Sequence, residues 1–228
     1  MPTAVVTGAN SGIGHEFARV LVESGYNVIA TDKDTSGTIQ SLSCEVVGLD
    51  VASPDSIREF KKHMADQPID LLLNIAGVMS PRERDTLETV DSSVLSRTFS
   101  INTFGPLLLT QALLPNVLKS KQPRLGFMSS RVGSIADNST GGSYAYRASK
   151  AALNSVCKSL AVELQHKGVI VVVMHPGYTK TGIDPAVHNM AEAVEPREAA
   201  SKLWDVLMSK GISETGKFWH REGYELPW

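Results

Sequence analysis

The run VIVVVM at residues 169–174 holds no polar residue at any position. A strand with one face in water alternates apolar and polar side chains, so a continuous Val/Ile run is a strand buried on both faces. That requires a parallel sheet covered by helices on each side. Similar short runs are AVVT (4–7), NVIAT (27–31), CEVVGL (44–49), IDLLLN (69–74) and RLGFMS (124–129), with a weaker one near Lys217–His220. Helical patterns separate them at about 12–24, 54–66, 93–118, 144–167 and 196–209, several with end signals: Pro54 and Pro196 at starts, Gly25 and Gly168 just past ends. This succession predicts an α/β fold, a Rossmann-type doubly wound parallel sheet in three α/β/α layers with right-handed crossovers. The segment DKDTSGTIQSLS between the second and third strands is too polar and short for a full crossover helix. No repeat, linker or low-complexity tract divides the chain, so residues 1–228 are expected to form a single domain.

Composition narrows the classes of function. Apolar residues are 42% and charged residues 20%, with a net charge of -2, which gives no basic footprint for nucleic acid. No apolar run reaches the length of a membrane span, and the first strand-like stretch starts at Thr3, leaving no room for a targeting peptide. Cys44 and Cys157 stand far apart, without a CxxC or a His-rich partner segment, and read as buried thiols. A reduced, cytoplasmic protein is expected.

TGANSGIG (7–14) joins the first strand to the first helix. A turn that lets backbone approach a phosphate needs residues without Cβ, and the helix N-terminus beyond it offers free amides to an anion. Gly8, Gly12 and Gly14 therefore suit a pyrophosphate platform, although their G-x-x-x-G-x-G spacing is not the usual dinucleotide fingerprint. Asp32 ends the second strand, where a carboxylate can accept hydrogen bonds from both ribose hydroxyls and repels a 2′-phosphate. Asp34 is a second acid nearby and Lys33 the only local cation. The expectation is NAD(H) as preferred cofactor, with NADP(H) as the alternative.

In GGSYAYRASK (141–150), Tyr146 and Lys150 are four residues apart and share a helix face, whereas Tyr144 and Lys150 diverge. Five tyrosines in a chain of this lysine content produce about 0.25 such pairs by accident, so spacing alone is suggestive. A lysine charge about 5 Å from a phenol, at an effective dielectric of about 20, contributes about 3 kcal/mol, or roughly two pH units. With a nicotinamide cation beside it as well, Tyr146 would come within range of acid–base work near neutral pH. FMSSRVGS follows the fifth strand and puts Ser129, Ser130 and Ser134 at the carboxyl edge of the sheet, where a hydroxyl can steady charge on a carbonyl oxygen. Spacing does not choose among them. His175, ahead of Pro176-Gly177, is expected to be a loop histidine with its hydrogen bonds satisfied. None of the six histidines stands at metal-ligand spacing, and no metal is expected.

These elements occur in a familiar order: TGANSGIG, LDV (49–51), NIAG (74–77), INTFG (101–105), SSRVG (129–133), YRASK (146–150) and HPGYTKT (175–181). The chain resembles the classical short-chain dehydrogenase/reductases over almost its full length. Its SSRVGSIADNSTGGSYAYRASKAALN segment and LPW ending are most similar to the C-factor and sniffer-type carbonyl reductases. The resemblance implies a catalytic tetrad of Asn102, Ser130, Tyr146 and Lys150, with Asn102 maintaining a water relay to Lys150. It also implies cofactor binding by the glycine turn, including Asn10, Ser11 and Ile13, and by Asp50 and Val51 around the adenine. Asn74, Ala76 and Gly77 would lie under its ribose, Tyr146 and Lys150 at the nicotinamide ribose, and Pro176, Gly177, Thr179 and Thr181 at the nicotinamide amide and pyrophosphate. Two departures stand out: NIAG replaces the usual NNAG, and the helix after the second strand is abbreviated. Ser11 before Gly12, where NADP-preferring members often carry a basic residue, supports the NAD reading.

What the resemblance implies as a whole is an oxidoreductase interconverting a ketone or aldehyde and an alcohol, acting on a small molecule under a lid at about 178–196. The apolar surplus of the 93–118 and 144–167 helices fits the homodimers and homotetramers common in the family. The competing reading is an NAD-binding signalling protein of the C-factor type with little turnover.

Overall fold

Seven strands form one sheet in the order β3-β2-β1-β4-β5-β6-β7, and every neighbouring pair is parallel. The computed structural model describes residues 1–228. In chain order the elements are β1 (Thr3–Thr7), α1 (Gly12–Glu23), β2 (Asn27–Asp32), β3 (Glu45–Gly48), α2 (Pro54–Met64), β4 (Leu71–Asn74), α3 (Ser92–Phe99), α4 (Gly105–Val117), β5 (Arg124–Met128), α5 (Tyr144–Leu164), β6 (Ile170–His175), α6 (Pro196–Ser209) and β7 (Lys217–His220). This is the doubly wound single-domain α/β architecture expected from the unbroken apolar runs.

Successive strand residues enter opposite layers, as the two-residue period of a strand demands. Val5, Ile29, Leu72, Phe127, Val171 and Phe218 join the core under α2, α4 and α5. Their neighbours Val6, Val28, Leu73, Val172 and Trp219 join the core under α1 and α6. Edge strand β3 is only partly buried, and it is reached through a single 3₁₀ turn, Thr38–Ser41, in place of a crossover helix.

The 93–118 segment departs from one uninterrupted helix. It divides into α3 and α4 around a π-helical turn at Ser100–Phe104, capped at its start by the Asp91 carboxylate on the amides of Ser93 and Val94. Pro106 stands at the start of α4, where the missing amide costs least. The π turn widens the backbone by one residue at Asn102, and such turns favour functional positions.

Strand order reverses between β1 and β4, and a crevice opens beyond their carboxyl ends. Thr7 ties the two sides together: its Oγ1 accepts the amides of Ile75 and Ala76, both at 3.0 Å. A Cβ on Gly8 would sit 2.9 Å from the Ala76 Cα, so the loops after β1 and β4 touch backbone to backbone.

Candidate active site

A cavity of about 1010 Å³ runs along this crevice. At one end the glycine turn forms its floor. The N-cap residue Ser11 makes no side-chain hydrogen bond to α1, leaving the first amides of that helix available to an anion. Gly8 and Gly12 have positive φ. A Cβ on Gly14 would lie 2.2 Å from the Gly8 carbonyl oxygen, so only glycine permits this close turn.

Gly8, Ser11, Gly12, Ile13 and Gly14 line the cavity, as do Asp32, Asp50, Val51, Ala76, Gly77, Pro176, Gly177, Thr179 and Thr181. Asn10 does not: its Oδ1 accepts the Ile39 amide and thereby fixes the short turn before β3. Asn74 does not either. It is the last buried residue of β4, its Nδ2 reaches Thr110 on α4 and its Oδ1 has no partner. Asn74 thus turns into the helix layer, and the loop residues Ile75, Ala76 and Gly77 just past β4 form the cavity wall. The two Asp32 oxygens accept the amides of Asn10 and Asp34, each at 3.2 Å, which sets the carboxylate at the mouth of the cavity beside Lys33.

The catalytic candidates converge at the other end. Tyr146, Lys150 and Ser130 all line the cavity, and Lys150 Nζ lies 5.9 Å from the centre of the Tyr146 ring. Tyr144 is exposed at the first position of α5 and takes no part in the wall. The structure also separates the three serines. Ser129 Oγ turns inward to donate to Asn154 at 2.6 Å, and buried Ser134 Oγ accepts the Asp137 amide at 3.1 Å. Ser130 faces the phenol.

Burial governs the two titrating groups. It pushes Tyr146 up to about 12, partly offset by the polar contact with Ser130 and reinforced by Asp184. Burial also brings Lys150 down to about 8. The sequence arithmetic predicted a phenol lowered by its lysine. Desolvation dominates because Lys150 is buried and the half-buried Tyr146 stands at the foot of the crevice with protein packed around it. Lys150 Nζ donates to the Met128 carbonyl at 2.8 Å, which fixes its direction.

Asn102 is fully buried and does not line the cavity. Its Oδ1 accepts the Val78 amide at 2.8 Å, while Nδ2 donates to the Val78 carbonyl and Ser149 Oγ. It braces the loop after β4 rather than facing the crevice. His175 also differs from expectation: it lines the cavity, its Nδ1 has no partner, and burial followed by His220, Arg221 and Arg131 lowers it to about 3.

Two arginines unforeseen from sequence shape the walls. Arg221 is 8% exposed and donates to the Pro176, Tyr178 and Glu192 carbonyls, clamping the Pro176-Gly177 turn to the segment beyond it. Arg147, one residue after Tyr146, donates to the Val132 and Gly141 carbonyls and to Thr140, holding the 131–143 loop. Across the mouth, Arg82 meets Asp184 at 2.6 Å. No helix is long and apolar enough to cross a membrane.

Residues 2–192 match the family model described as short chain dehydrogenase. The chain is 35% identical to the C-signal protein of Myxococcus xanthus, over 75% of this chain and 100% of that protein. Among solved structures, an NADPH-bound carbonyl reductase from chicken fatty liver superimposes with a TM-score of 0.90 at 28% identity, covering 100% of this chain and 99% of that one. The carbonyl reductase Sniffer of D. melanogaster does so with a TM-score of 0.89 at 26% identity over the whole of both chains. With a glycine cradle at one end of the crevice and a tyrosine–lysine pair at the other, the chain belongs to the short-chain dehydrogenase/reductase family, with similarity to its C-factor and sniffer-type members.

Proposed function

We propose that this protein is an NAD(H)-dependent oxidoreductase that interconverts a ketone or aldehyde and an alcohol, with Tyr146 as general acid and base. The observation that carries the reading is the meeting of Ser130, Tyr146 and Lys150 on one wall of the cavity whose other end is the glycine cradle. A bound nicotinamide would supply hydride to the carbonyl carbon, or take it from the alcohol.

The residues of the chain account for the rest. A phenol held near 12 is fully protonated at neutral pH and ready to donate to an oxygen on which charge develops. Ser130 donates a hydrogen bond to the same oxygen. Oxidation of an alcohol asks the phenol to accept a proton, and the Lys150 ammonium stabilises the phenolate that precedes this. Lys150 also suits the nicotinamide ribose, the amides of α1 the pyrophosphate, and Asp50 and Val51 the adenine. Residues 178–196 act as the lid, tied across the mouth by Arg82 and Asp184. Fixing donor, acceptor and phenol in one geometry and polarising the oxygen are the two effects that lower the barrier.

The NAD preference rests on Asp32, whose carboxylate faces the ribose end of the cavity. The chicken carbonyl reductase holds NADPH, and Lys33 beside Asp32 is the group that would favour a phosphate here. A protein that only sensed the cofactor would have no use for a cavity-lining phenol beside a buried lysine, which disfavours the signalling reading.

A panel of ketones, aldehydes and alcohols followed by nicotinamide absorbance tests the activity. Tyr146→Phe should reduce turnover about 100-fold or more with cofactor binding retained, and Tyr144→Phe should leave most of it. Loss of activity in the Tyr144 variant alone would refute the assignment.

A further inference from the structure

The helix that carries Tyr146 is capped from elsewhere in the chain. An N-cap side chain ordinarily accepts the second and third amides of its helix, from an extended backbone. At α5 the N-cap residue Ser143 lies instead in the left-handed region, at φ 49° and ψ 49°, and its side chain makes no cap. Gly141 and Gly142 before it also have positive φ, so the chain enters the helix along a path that aims Ser143 away.

The amides at stake belong to Ala145 and Tyr146. Asp85 takes both: Oδ1 accepts from the Ala145 amide at 2.7 Å and Oδ2 from the Tyr146 amide at 3.1 Å. Its side chain comes from the loop after β4, 60 residues away, and is only 2% exposed. None of the ion pairs in the protein involves Asp85, so its charge is held by two backbone amides and the positive end of the helix. Burying a carboxylate is a costly way to cap a helix that an extended serine would cap at the surface.

The consequence lies in what the carboxylate connects. The Val78–Asp85 segment is fixed at one end by Asn102, through both polar groups of Val78, and at the other by Asp85 on the amide of Tyr146. Between these ends, Met79 and Arg82 line the cavity. The loop that walls the cavity and the backbone that sets the phenol are thereby tied together by hydrogen bonds at both ends of the segment.

We propose that Asp85 is a positioning residue for the reaction, acting as a detached helix cap that fixes where the Tyr146 phenol stands relative to the substrate loop. The proposal rests on the reading of Tyr146 as the acid–base group.

The test compares Asp85→Ala and Asp85→Asn with the unsubstituted protein, each also in a Tyr146→Phe background. Phenanthrenequinone serves as the carbonyl probe and NADH fluorescence reports cofactor affinity. Asp85→Ala should lower kcat by about 100-fold, as a displacement of about 1 Å would, with cofactor affinity within about threefold. Asp85→Asn keeps one acceptor for the amides and should recover about tenfold of that loss. In the Tyr146→Phe background, Asp85→Ala should cause no further loss of the residual rate.

Asp85→Ala turnover within about twofold of the parent would overturn the proposal. An equal loss in the Tyr146→Phe background would overturn it too, because the effect would not pass through Tyr146. Should Asp85→Ala fail to fold, Asp85→Asn carries the same comparison alone. An active Tyr146→Phe variant sinks the acid–base reading and this role together, whereas an inactive one beside an undisturbed Asp85→Ala sinks only the latter.

Discussion

Lys150 should be a cost to the folded protein in the absence of cofactor, and Lys150→Met should reveal it. Burial brings the ammonium from the usual 10.5 down to about 8. At about 1.4 kcal/mol per pH unit, keeping it charged inside the folded protein at pH 7 costs about 3 kcal/mol. Methionine fills similar space without a charge but leaves the Met128 carbonyl without its donor, a loss of about 1 kcal/mol. The net expectation is a variant more stable by about 2 kcal/mol at pH 7, equivalent to about 4–8 °C in melting temperature for a chain of this size.

The sign of the pH dependence sharpens the test. Lys150 has a depressed pKa, so between about 8 and 10.5 the unfolded chain binds the proton and the folded protein does not. Parent stability therefore gains from Lys150 as pH rises through that window, and the advantage of Lys150→Met shrinks toward zero or reverses by its upper end. Burial raises Cys44, Cys157 and Tyr146, which act in the opposite direction at alkaline pH. Taking the difference between parent and variant removes most of their contribution. Urea unfolding of both proteins at pH 7 and at alkaline pH measures it. A variant less stable than the parent at pH 7, or an advantage that grows with pH, would refute the reasoning.

Two further outcomes follow from the site. Ser130→Ala should lower kcat by about 10- to 100-fold while Ser134→Ala lowers it by less than about threefold, because only Ser130 faces the phenol; steady-state rates with one carbonyl probe decide between them. NADH should quench or enhance fluorescence at lower concentration than NADPH, and Asp32→Ala should narrow that gap by about tenfold. Tighter NADPH binding in the parent would show that Lys33, not Asp32, governs the ribose end.

The fold was legible because its strongest signal is local. Runs such as VIVVVM announce a strand buried on both faces without reference to any other part of the chain. Tyr146 and Lys150 were legible for the same reason, since a four-residue interval on a helix has one geometric meaning. What could not be read depends on distant partners. Asp85 looks like one more loop acid until α5 arrives 60 residues later with two open amides. Arg221 reveals its role only when β7 lies beside β6 and brings the Pro176 carbonyl within reach. Asn10 and Asn74 lie in matching motifs, yet their side chains turn to Ile39 and Thr110, a direction that motif order does not encode. The phenol shows the limit of pairwise arithmetic: counting the charge on Lys150 omitted the burial that outweighs it.

The π turn at Ser100–Phe104 has a consequence for how chains of this kind can change length. It is equivalent to one residue inserted into an otherwise regular helix. Removing any single residue between positions 100 and 104 would let the segment anneal into continuous α-helix. Each residue of a regular helix spans about 100°, and the wide turn absorbs that rotation locally, so the deletion would leave the two flanks close to their present phase. The change would fall on the turn itself, where Asn102 would lose its hold on Val78, while α4 would keep its stripe toward the sheet. A one-residue change in length at this turn therefore costs the local contacts of Asn102, whereas the same change in the regular helix on either side would turn a whole flank by about 100°.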